Sequence, residues 1–73
     1  MMSAQHVYEI EPRGPKSTPG RMYKVQGGEI GAEAAARELI RDNHDITSVG
    51  IYHSYPSPGP QRRFVKEVTG DAG

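Results

Sequence analysis

Apolar and polar positions alternate in four short stretches of this chain and follow a helical period in a fifth. His6-Val7-Tyr8-Glu9-Ile10-Glu11 places Tyr8 and Ile10 on one face and Glu9 and Glu11 on the other, the period of a half-buried strand. Pro12 to Gly20 reads as a long loop, because proline cannot donate to a ladder and glycine is the usual turn residue. Arg21-Met22-Tyr23-Lys24-Val25-Gln26 alternates again, with Tyr23 and Val25 inward. Gly27-Gly28 then breaks the strand, and the stretch from Glu29 to His44, EIGAEAAARELIRDNH, changes period. Ala32, Ala35, Ala36, Leu39, Ile40 and Asn43 recur at a spacing of about 3.6, opposite Glu33, Arg37, Glu38, Arg41 and Asp42. After Asn43-His44-Asp45, the region of a C-terminal cap, the period returns to two. Thr47 to Tyr55 forms a third strand with Val49, Ile51 and Tyr55 inward, and Arg62 to Val68 a fourth with Phe64 and Val68 inward. Pro56 to Gln61 is a second stiff loop, while residues 1 to 5 and the last five read as loose ends.

The order β-β-α-β-β with two local hairpins predicts an α+β fold. One four-stranded antiparallel sheet carries the helix across one face, and the simplest strand order is 2-1-3-4. The whole of residues 1–73 forms one domain with an ordered core over about residues 6–68. A less simple arrangement keeps the hairpins apart and completes the sheet with a second copy. The alanines allow close approach of helix to sheet, and Leu39 and Ile40 fill the wider gap at the far end. If Leu39 is buried there, Leu39→Ala costs about 2 to 5 kcal/mol.

One helix covers one side of a sheet. The opposite face is expected to show Val7, Glu9, Glu11, Met22, Lys24, Gln26, Tyr52, Arg63, Val65 and Glu67. Within it, Val7, Met22, Tyr52 and Val65 suggest an apolar centre, with Lys24 and Arg63 at the rim. Tyr52 and Arg63 are the expected anchors, since aromatic residues and arginine dominate interface energetics.

Composition narrows the function classes. A chain of 73 residues buries only about 60% of its extended surface, so association with a second copy or another protein is a natural source of stability. The absence of cysteine removes disulfides and thiolate chemistry. The N-terminal MMSAQHVYEIE has neither a basic start nor an apolar run, and no stretch approaches the roughly 20 apolar residues of a membrane span, which points to a soluble, cytoplasmic protein without a membrane partner. Nine basic and nine acidic side chains leave no net charge to attract nucleic acid. Local patches survive this balance: Arg13, Lys16 and Arg21 around the first loop, and Arg62, Arg63 and Lys66 after the second, supply an alternative nucleic-acid reading in which tyrosines on the sheet stack bases.

Catalytic and metal chemistry find little support. His6, His44 and His53 are separated, and His53 and Ser54 alternate to opposite sides of a strand. No spaced histidine pair or calcium-type loop is present, so neither a metal nor a cofactor is expected. Gly27-Gly28-Glu29-Ile30-Gly31 lacks the lysine of a phosphate loop, and Glu29 and Glu33 put negative charge where the phosphate would sit. Glu9 and Glu11 share a strand face, where like charges are expected to be solvated and to discourage edge pairing. The pattern over residues 6 to 68 loosely resembles small phage and actinobacterial proteins of unassigned role, without a diagnostic motif, which implies an accessory protein that binds another macromolecule and identifies no target. The sequence therefore predicts a non-enzymatic protein-binding adaptor or inhibitor, self-associating as a homodimer through the open sheet face and the proline-rich loops.

Overall fold

The computed structural model describes residues 7–55 and 61–70. The chain runs β1 (Val7–Arg13), β2 (Tyr23–Val25), α1 (Gly28–Asp42), β3 (Ser48–Tyr55) and β4 (Gln61–Thr69). All four strands form one antiparallel sheet in the order β2-β1-β3-β4, with α1 across one face, as the alternation predicts. Residues 56–60 of the expected second loop, the expected lead-in 1–5 with His6 of the first strand, and 71–73 of the expected loose end lie outside the described residues, while Gln61, expected in the loop, opens β4 opposite Tyr55.

The core follows from the small side chains of α1. Ala32 and Ala36 are fully buried against Ile10, Val49 and Ile51, because a methyl group is all that separates the helix from the sheet. Tyr8, Val25, Ala35, Leu39, Ile40, Ile46 and Val68 pack around this centre at partial burial. The helix begins one residue earlier and ends two earlier than its sequence period suggests. Gly27 precedes it with φ 93°, a left-handed backbone that only glycine adopts without strain, and no side chain caps the start. At the other end, both the backbone amide and the side-chain amide of Asn43 donate to the Leu39 carbonyl at 3.0 Å. Arg37 and Glu33 pair one turn apart at 3.8 Å, but Glu33, expected on the solvent side, is half-buried and reaches Lys66 of β4.

Strand boundaries depart from the sequence reading most in β1, β2 and at the end of β4. Pro12 does not end β1, which continues to Arg13 with Pro12 opposite Val49. The Arg13 carbonyl accepts from the Thr47 amide on the β3 side, so the missing N–H of Pro12 falls on the other side, beyond the last paired residue of β2. Second, β2 is only three residues long, and Met22 lies before it, half-buried. Third, Thr69 belongs to β4, and the Gly70 amide donates to the Thr47 carbonyl, so the chain stays tied past the expected fraying point.

The largest correction is in β4. Ile51 pairs with Lys66 but Tyr52 pairs with Phe64, so Val65 is an extra residue, a β-bulge. Beyond it every side chain is on the side opposite to that given by simple alternation. Phe64, expected in the core, lies on the open face at 51% exposure. Val65, expected on the open face, packs against the core. Arg63, the expected open-face anchor, pairs with His53 and lies on the helix side, while Arg62 pairs with Ser54 on the open face.

With Ile51 and Val49 the largest fully buried side chains and Leu39 only half-buried, the full cost of deleting a core side chain moves from Leu39 to the sheet. Ile51→Ala is expected to destabilise the domain by about 2 to 5 kcal/mol, read as a large drop in the melting temperature by circular dichroism. An unchanged melting temperature contradicts the packing described.

Candidate functional site

The open face of the sheet is ordered by register into rows. Lys24, Glu9, Tyr52 and Phe64 form one row from β2 to β4, and Glu11, Gly50 and Glu67 form the next. Val7, Ser54 and Arg62 lie on one side of these rows, and Arg13, Ser48 and Thr69 on the other.

Arg13 organises the second row. Its guanidinium donates to Glu11 Oε1 at 3.1 Å, to Glu67 Oε2 at 3.1 Å and to the Tyr52 hydroxyl at 2.8 Å, and that hydroxyl in turn donates to Glu11 Oε1 at 3.2 Å. The guanidinium spans β1, β3 and β4 because position 50 has no side chain: a Cβ there would stand 2.7 Å from Arg13 Nη2. The second carboxylate oxygen of Glu11 accepts from the Gly20 amide at 2.8 Å and so fastens the end of the first proline-rich loop to the sheet. Arg62 closes over the first row, donating to Glu9 Oε1 at 2.8 Å.

These bonds overturn the expectation for Glu9 and Glu11. Glu9 is 7% exposed and Glu11 half-buried, and both are held by arginines from distant parts of the sheet rather than solvated as repelling charges. Alternation in the sequence does assign both glutamates to the open face. Their partners are not legible there, because Arg62 reaches the face only through the bulge and Arg13 only through the extension of β1 past Pro12.

At the centre, the Tyr52 and Phe64 rings meet edge-on with centroids 5.4 Å apart and planes at 68°. Of the expected interface residues, Val7, Lys24 and Tyr52 lie on the open face by register. Met22 precedes the strand, and Arg63 and Val65 belong to the helix side. Phe64 takes the apolar position assigned to Val65.

The six basic residues of the nucleic-acid reading are not brought together. Arg13 and Arg62 are committed to open-face glutamates, and Lys66 lies on the helix side against Glu33 and Glu29. Lys16 and Arg21 border the first loop, and Arg63 stands on the helix side of β4. Among the described residues no group of three histidine and acidic side chains converges in a metal-binding arrangement, and no helix is long and apolar enough to cross a membrane. No protein-family model, curated protein or solved structure matches this chain.

The Gly20 amide, followed by Arg13 and Tyr52, holds the Glu11 carboxyl below its ordinary value against the opposing effect of burial. A depressed pKa in the folded state stabilises the fold above the unfolded pKa, near 4.5, and this contribution is lost as the pH falls through the lower folded value. Urea denaturation at about pH 7 and about pH 3 is therefore expected to show a smaller loss of stability on acidification in Glu11→Gln than in the wild type. Equal losses in the two proteins contradict the assignment.

Proposed function

We propose that this chain is a non-enzymatic protein-binding domain, an adaptor or inhibitor, that self-associates through its open sheet face. The observation that carries the reading is Phe64, a large apolar side chain half exposed over Tyr52 and surrounded by charges already paired within the face. An aromatic centre inside a polar rim is the anatomy of a protein interface. Because Glu9, Glu11 and Glu67 have their bonds to Arg13 and Arg62 before any partner arrives, docking on Phe64 leaves those bonds in place.

The sign balance of the face supports a second copy as partner. Glu9, Glu11 and Glu67 are matched by Arg13, Lys24 and Arg62, so two such faces meet without net repulsion. The first proline-rich loop joins the same surface through the Gly20 to Glu11 bond and is a secondary contact.

Size-exclusion chromatography with light scattering is expected to give a dimer at micromolar concentration for the wild type and a monomer for Phe64→Asp. The variant should keep its melting behaviour as a monomer, since Phe64 lies outside the core. A strictly monomeric wild type, or a variant that dimerises equally, contradicts the reading. Salt-sensitive binding of random oligonucleotides by the wild type would favour the nucleic-acid alternative instead.

A further inference from the structure

We propose that the groove between the C-terminal half of α1 and the end of β2 binds a small amphipathic monocarboxylate, its apolar tail beside the helix and its carboxylate at Lys16 and Arg21. The groove exists because β2 stops opposite Ile10 while β1 and α1 continue. Its larger lobe, about 570 Å³, presents Ile10, Pro12, Tyr23, Ala35, Leu39 and Ile46, an apolar lining within the size range of small-ligand sites. Glu38 and Asp42 also line it and share the single cation Arg41, which leaves one negative charge on this side and favours an apolar tail, not the carboxylate, here.

A second, polar lobe of about 200 Å³ adjoins it and shares Pro12, Tyr23, Asn43 and Ile46. This lobe is lined by Lys16, Ser17, Thr18 and Arg21 from the first loop. Arg13, Arg37, Arg41, Arg62 and Lys66 each have a carboxylate partner, whereas among the described residues Lys16, Arg21, Lys24 and Arg63 have none, and of these four Lys16 and Arg21 line this lobe. Arg21 instead stands over the Tyr23 ring, 5.9 Å from its centroid, at the junction of the two lobes. Asp45 also borders the polar lobe, so two cations and one anion leave a single positive charge, the complement of a monoanion.

Pro12 argues for a free small molecule over a peptide strand. It lines both lobes and turns its nitrogen away from β3, so the free edge of β1 offers no N–H at this position to an added strand. The site is separate from the open face and does not rest on self-association.

Titration of the ¹⁵N-labelled protein with octanoate, followed by amide shifts, tests the proposal. Octanoate is expected to bind with a Kd below about 1 mM, perturbing Ala35, Leu39 and Ile46, and octanol about tenfold more weakly. Lys16→Ala/Arg21→Ala, two exposed substitutions, should weaken octanoate about tenfold with an unchanged melting temperature, and Ala35→Phe should block both ligands by filling the apolar lobe. Octanol binding as tightly as octanoate, full affinity in the double variant, or shifts confined to other surfaces overturns the proposal. Tighter binding of a short acetylated peptide ending in leucine overturns it in favour of a peptide C-terminus.

Discussion

Ala32 and Ala36 lying directly on Ile10, Val49 and Ile51 is the contact around which the rest of the chain is arranged. Methyl groups on the helix bring its backbone close to the sheet, and the branched side chains of β1 and β3 fill the remaining space. This core is small, and a domain of this size has only a modest stability to lose. It also lies wholly on one side. With no second layer among the described residues, the other side of the sheet satisfies its own polar groups, and Arg13 and Arg62 do this by folding across the strands onto Glu11, Glu67 and Glu9.

The bulge at Val65 connects the two faces. It lets one strand contribute Val65, Lys66 and Val68 to the helix side while its first half gives Arg62 and Phe64 to the open side. Without the extra residue, Phe64 would point toward α1, and Glu9 would lose the arginine that covers it. A bulge on an outer strand also disturbs the regular edge that another chain would use to extend the sheet.

Much of this architecture is legible in the sequence. The two periods, about 2 in the strands and about 3.6 in the helix, together with two local hairpins, leave few topologies open, and the strand order 2-1-3-4 is the simplest. The faces of β1 and β3 follow from alternation because Ile10, Val49 and Ile51 are separated by polar or small residues. In β4 the same rule fails: Phe64 and Val68 share a parity, and nothing in RRFVKEV shows that Val65 is to be skipped in the pairing. Pro12 misleads for a related reason, since whether proline breaks a strand depends on which side its nitrogen faces and whether a neighbour is there.

Side-chain partnerships are harder still to read, because they depend on register. Glu9 and Arg62 are far apart in the chain, and only the bulge brings them onto one face. Gly50 looks like a weak point in a strand until the Arg13 guanidinium is seen above it. The central claim is thus geometric: Phe64 stands on the open face over Tyr52, and Val65 takes the core side. A nuclear Overhauser spectrum of the folded protein tests it most directly. The account predicts cross-peaks between the Phe64 and Tyr52 rings, with none from Phe64 to the methyls of Ala32 or Ala36. Cross-peaks from Phe64 to those alanines, with none to Tyr52, would contradict it.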